Sequence, residues 1–183
     1  MNPAKKKILV TGVSSFVGCH LARGFSQKSE WEVLPTGSKN PEDYKKHRAR
    51  RIKFGGLKND WSVLNLKDEP GIKQFIRKSQ PDIWIHHAGY ATSYASLDYD
   101  TREGLETNVA PLKYIFKNLS ENGCRGVVVT GSSMEYPATN KPCLESDACL
   151  PDTPYGQSKL NETLTSIEMS DQFGIPTRIA RLF

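Results

Sequence analysis

Ile8-Leu9-Val10-Thr11-Gly12-Val13-Ser14-Ser15-Phe16-Val17-Gly18, near the N-terminus, is the stretch whose reading decides the fold. A short apolar, β-branched run breaks into a turn of small residues and then into an amphipathic segment (Phe16, Val17, Leu21, Ala22, Phe25), the pattern of a strand feeding a helix through a tight loop. Gly12 can bend sharply and Gly18 lets the helix lie close to the strand, while the free N–H groups and positive dipole of the helix N-terminus face an incoming pyrophosphate. Gly12, Ser14, Ser15, Phe16, Val17 and Gly18 are therefore the candidate phosphate cradle. A fingerprint of the Thr-Gly-x-x-Gly-x-x-Gly type has glycine where this chain has Ser15; a Cβ there would crowd the pyrophosphate, whereas the hydroxyl could donate to it. The plain alternative is a strand–turn–helix with incidental glycines, so the motif takes its meaning from its surroundings.

Working outward, residues 31–35 (Trp-Glu-Val-Leu-Pro) read as a second strand whose end lies about 20 residues past the glycine loop. A carboxylate at that end would bind the adenosine ribose 2′-hydroxyl of NAD and repel a 2′-phosphate. The chain offers Thr36, Gly37, Ser38 and Lys39 instead, hydroxyls and a cation that favour NADP over NAD, with a polar turn as the bland reading. Residues 40–51 are polar and basic, a helix or loop, before a weak third strand around residues 51–54. Asn65-Leu66-Lys67-Asp68 then leads into a helical segment (Ile72, Phe75, Ile76) ending before Pro81; Asn65 can bond an adenine edge or the stretch can cap the helix.

Residues 81–89 form the clearest later strand, and Ala88 and Gly89 at its end let a cofactor lie against the backbone. His86 and His87 read as structural groups packed around the sheet's carboxyl edge. A long helix is expected through Leu105, Val109, Leu112, Ile115, Phe116 and Leu119, with a spacing that suits core or a dimer face. Asn108 interrupts that face and needs partners, either backbone or water beside the site. Residues 126–130 read as a buried strand ending in Gly131-Ser132-Ser133-Met134-Glu135-Tyr136, at the edge where open α/β sheets bind ligands. Residues 137–153 look like an active-site loop, 154–159 open another helix, and 177–183 make a final strand.

Composition narrows the classes. A chain of 183 residues gives one compact domain, with no apolar run approaching a membrane span and no signal-peptide core after Lys5 to Lys7; the reading is cytoplasmic. Cys19, Cys124, Cys143 and Cys149 show no metal-ligand spacing, so no metal is expected. The net charge of +5 comes largely from Lys5 to Lys7 and the cluster Lys45, Lys46, Arg48, Arg50, Arg51 and Lys53; without aromatic interleaving it reads as a solvated face and not a nucleic-acid patch.

Tyr155 and Lys159 stand four apart and so share a helix face. A phenol is a poor acid–base group at neutral pH, but a nearby ammonium favours the phenolate and lowers its pKa. The same ammonium can bond a nicotinamide ribose while Ser132, delivered by the preceding strand, holds a substrate oxygen. Ser132, Tyr155 and Lys159 are then a proton-transfer set beside a hydride carrier.

At this point the chain resembles the extended short-chain dehydrogenases/reductases, the nucleotide-sugar epimerase, dehydratase and reductase group. Thr11-Gly12 with Phe16 and Gly18, Asn65-Leu66-Lys67-Asp68, His86-His87-Ala88-Gly89, Asn108, Ser132-Ser133 with Tyr136, and Pro154-Tyr155 with Lys159 and Glu162 carry the resemblance. It implies a doubly wound parallel sheet of order 3-2-1-4-5-6. It also implies Tyr155 as general acid/base, Lys159 as its pKa modulator and ribose ligand, Ser132 as substrate-oxygen donor and Asn108 as an ordering residue. Dehydratases of the family carry an acid where this chain has Met134, and Glu135, one position off, points elsewhere. The segment looks closest to reductases of GDP-linked 4-keto-6-deoxy sugars, which use NADP; epimerases share the triad. Family members often form homodimers through the helices starting near Leu105 and Tyr155. They also continue past the sixth strand into a smaller domain that binds the nucleotide sugar, leaving residues 1–183 as the cofactor domain. The alternative from another class is a dinucleotide-binding sensor or scaffold without catalysis.

Overall fold

The computed structural model describes residues 4–56 and 60–183. A six-stranded parallel sheet has the order β3-β2-β1-β4-β5-β6. The strands are β1 (Lys6–Val10), β2 (Trp31–Gly37), β3 (Ser62–Val63), β4 (Ile83–His86), β5 (Gly126–Ser132) and β6 (Thr177–Leu182). Alternation of side chains across the pleat divides the core in two. Leu9, Trp84, Val127 and Val129 pack under α3 (Glu69–Ser79), α5 (Leu112–Glu121) and α6 (Pro154–Phe173), whereas Ile8, Val10 and Ile85 pack against α1 (Phe16–Ser26). Because helices cover the sheet from both faces, polar groups collect at the carboxyl ends of the strands.

Two expectations change. Residues 51–54 are not a strand but the end of α2 (Lys46–Gly55), which buries Ile52 and stops at the left-handed Gly56. Arginine, lysine and alanine on either side of Ile52 favour the helix, and β3 is a two-residue strand farther on, paired with Thr36 and Gly37. The long helix expected after β4 is broken into α4 (Thr101–Gly104), a π-helical turn (Leu105–Val109) and α5. Pro111 lacks an N–H, and the Ala110 N–H reaches back five residues to the Leu105 carbonyl, at 3.0 Å, so the helix widens there before restarting.

Candidate functional site

At the glycine turn, Gly12 has φ of +75°, and a Cβ on it would lie 2.8 Å from the Ala88 nitrogen. Only glycine fits that left-handed corner against β4. A Cβ on Gly18 would lie 2.4 Å from the Gly12 carbonyl oxygen, so α1 rests directly on the turn. Ser15 sits at φ −79°, ψ 170°, a conformation any residue adopts, and its Oγ accepts the Gly18 N–H at 2.9 Å as the N-cap of α1. Beside the turn, Thr11 Oγ1 donates to the Ile85 carbonyl and accepts the N–H groups of His87 and Ala88.

From this turn a cleft of about 440 Å³ runs along the carboxyl ends of β1, β2, β4 and β5 to the start of α6. It brings together Gly12, Ser14, Ser15, Ser38, Asn65, Leu66, Ala88, Gly89, Asn108, Ser132, Tyr155 and Lys159. Phe16, Val17, Gly18 and Lys39 do not line it. The Phe16 ring is exposed and packs edge-to-face on His20. At the β2 end, the Lys39 N–H donates to Tyr44 OH at 3.2 Å and the Trp61 indole N–H donates to the Lys39 carbonyl at 2.9 Å. Arg48, on α2, reaches into the cleft instead, with Nη1 3.2 Å from Ser14 Oγ. Asn65 turns its Oδ1 to the Lys67 N–H, and the cap of α3 is Asp68.

Asn108 lies in the π-helical turn, fully buried. Its Oδ1 accepts the Tyr90 N–H at 2.7 Å and its Nδ2 donates to the Tyr90 carbonyl at 3.2 Å. Both ends of one amide thus fasten the segment after β4, and Gly89 leaves room for it.

The chemical end is built by β5 and α6. Ser132 ends β5 and caps the short turn Ser133–Glu135, its Oγ accepting the Met134 N–H. Glu135, completely buried, accepts from the Ser132 N–H (2.8 Å), Thr163 Oγ1 (2.9 Å) and Arg181 Nε (2.9 Å) and so faces the interior, away from the cleft. Thr153 caps α6, and Gly156 allows its first turn to press against the Met134 carbonyl. Tyr155 stands on that turn with the rings of Tyr94 and Tyr99 edge-on at 5.6 and 5.4 Å. Lys159, one turn on, donates to the Thr130 carbonyl (2.7 Å) and to Glu162 Oε2 (2.6 Å).

This geometry corrects the expected electrostatics of Tyr155. Its phenol is pushed up to about 12, first by burial and then by the charges of Glu162 and Glu135, with Ser132 pulling weakly the other way. The Lys159 ammonium is paired with Glu162. Glu162 itself lies below the usual carboxylate range: burial pushes it up, but Lys159 and His86 outweigh burial.

The two adjacent histidines part company. His86 is buried against Trp84 with Nε2 3.2 Å from Glu162 Oε1, a contact of poor hydrogen-bond geometry. His87, at the sheet's carboxyl edge, also forms part of the cleft wall, Nε2 2.8 Å from Ser15 Oγ and Nδ1 3.1 Å from Thr130 Oγ1. Burial, Lys159 and His86 lower its pKa to about 4 against a smaller opposing effect of Glu162. Strand alternation was the available signal: His86, two residues from Trp84, shares its side of β4, and the residue that follows falls on the other. Arg48 was also missed, hidden among the basic residues around it.

Sheet order, a left-handed glycine at the first turn, and a polar cleft across the strand ends together define a doubly wound α/β domain of the nucleotide-binding type. Residues 8–183 match the model of the NAD dependent epimerase/dehydratase family, and the chain belongs to that family. A UDP-glucose 4-epimerase of Pisum sativum is 24% identical over 163 residues, covering 87% of this chain and 46% of that protein. A dTDP-4-dehydro-6-deoxyglucose reductase of Escherichia coli is 26% identical over 198 residues, covering 98% and 60%. Among solved structures, the UDP-glucuronic acid 4-epimerase of Bacillus cereus in complex with UDP-glucuronic acid and NAD superposes with a TM-score of 0.81 at 20% identity, covering 96% of this chain and 55% of that one. The chain spans about half the length of the curated relatives it matches. Among the described residues no helix is long and apolar enough to cross a membrane.

Proposed function

We propose that this chain carries the cofactor site and proton-transfer groups of an oxidoreductase or epimerase acting on a nucleotide-linked sugar, with NADP preferred over NAD. The reading rests on one observation: Ser132, Tyr155 and Lys159 line the same cleft that begins at the glycine turn. The residues fit a dinucleotide, since the α1 N-terminus with Ser14 and Ser15 opens onto the cleft and Ala88 and Gly89 keep the β4 end low. Bound there, a nicotinamide would give or take hydride at a sugar carbon.

Each group then has a defined task. A phenol held near 12 stays protonated at neutral pH, the form that donates a proton to a sugar oxygen whose carbon gains hydride. In the opposite direction a positive charge close to the ring must first bring the phenol down. Ser132 Oγ accepts the Met134 N–H and keeps its own proton for a substrate oxygen. Lys159 has three N–H groups, two of them used by Thr130 and Glu162, and the third is the donor for a ribose hydroxyl. With Met134 at the family's dehydratase acid position and Glu135 turned inward, the set suits reduction or epimerisation.

The preference for NADP is supported by the β2 end, where Ser38, Tyr44 and Arg48 form the wall. The carboxylate in the cleft wall, Glu103, belongs to α4 and is paired with Lys67. Fluorescence titration of the protein should give tighter binding of NADPH than of NADH, and Arg48→Ala should weaken NADPH by about tenfold while sparing NADH. Tighter NADH binding overturns the preference. With UDP-, GDP- and dTDP-linked sugars, Tyr155→Phe should abolish turnover and leave cofactor affinity intact; unchanged turnover removes the mechanism.

A further inference from the structure

Ser15 occupies a place where the fingerprint has glycine, and its hydroxyl is already engaged by the helix it caps. The serine therefore consumes one of the α1 donors that would otherwise face an anion. We propose that Ser15, His87 and Thr130 act as one relay that turns the Ser15 hydroxyl outward as a donor to the cofactor's pyrophosphate, with His87 as the positioning residue. The proposal rests on the dinucleotide reading given above.

The count of protons and lone pairs carries it. Ser15 Oγ has two lone pairs and one proton, and the Gly18 N–H fills one lone pair at 2.9 Å. His87 Nε2 lies 2.8 Å from the same oxygen, and Nδ1 lies 3.1 Å from Thr130 Oγ1. The charged and titratable groups that act on the ring are Lys159 and Glu162 of α6 and His86 of β4, and the pKa of about 4 leaves it neutral at pH 7 with a single N–H. Two arrangements remain. With the proton on Nε2, the ring donates to Ser15 and accepts from Thr130; both serine lone pairs are filled, and the hydroxyl proton has only the cleft to face. With the proton on Nδ1, the serine donates to the ring and shows the cleft a lone pair, which repels phosphate. An anion at the turn selects the first arrangement, and the relay returns to the loop the donor that capping removed.

The test is a double-mutant cycle on the protein with NADH as ligand, read by fluorescence. Ser15→Ala and His87→Phe should each weaken binding by about tenfold, and the double variant should be no weaker than either single one. Additive losses, or wild-type affinity in His87→Phe, overturn the relay. If His87→Phe folds poorly, nitrogen NMR of wild-type histidines decides: with NADH bound, His87 should carry its proton on Nε2, and an Nδ1-protonated ring overturns the proposal. A wild-type protein that binds neither NADH nor NADPH fails at the earlier step and sinks the dinucleotide reading with it, whereas binding without coupling sinks the relay alone.

Discussion

The imidazole of His87 keeps its proton only below about pH 4, chiefly because the ring is buried. In the unfolded chain the same ring titrates near 6.5. Its folded pKa is depressed, so the stability it contributes is fully present above about pH 6.5 and is lost as pH falls through about 4, an effect on the order of 3 kcal/mol. Urea midpoints measured at pH 7 and pH 4.5 should therefore differ less in His87→Phe than in the wild type; an equal difference refutes the assignment. Tyr155 and Lys159 illustrate what spacing conveys and what it omits. Four residues apart puts both on the cleft side of α6, but the sequence does not say that Glu162, three residues beyond, takes the ammonium for itself. Partner choice among buried charges depends on side-chain positions that periodicity does not encode.

At the level of elements, α6 and the short turn after β5 are fitted through Gly156. A Cβ there would fall 2.1 Å from the Met134 carbonyl oxygen, which belongs to backbone and has little freedom to move. Gly156→Ala should cost about 1–3 kcal/mol in urea unfolding and reduce turnover further than Tm, because the displaced turn carries Tyr155. A substitution without effect on either would show that the contact relaxes freely. The strands with strong apolar runs, β1, β4 and β5, were readable from sequence, as was the start of α6 at Pro154. The weak elements were not. β3 has two residues and leaves no pattern, and the π-helical turn keeps the apolar spacing of the long helix while Pro111 interrupts its ladder.

Across the whole molecule, β5, α6 and β6 meet at the Glu135 carboxylate, which bonds Ser132, Thr163 and Arg181. Removing it by Glu135→Ala leaves Arg181 without its counter-ion and should destabilise the fold by about 3–5 kcal/mol, lowering Tm by roughly 10 °C. Pairing Glu135→Leu with Arg181→Met should recover much of that loss in the same thermal scan; no recovery would assign the cost to packing. The strand order was legible through the family resemblance that the first turn and the later motifs carry, and right-handed βαβ crossovers agree with it. The network under the strand ends was not, since its members lie far apart in sequence.

Thr11 has every hydrogen-bonding capacity of its hydroxyl filled, all of it across the gap between β1 and β4. Valine has nearly the same shape and none of those bonds. The backbone ladder joins the two strands as far as Ile85, and beyond it this one hydroxyl carries the junction on, so an isosteric swap at that position would leave two N–H groups without their side-chain acceptor.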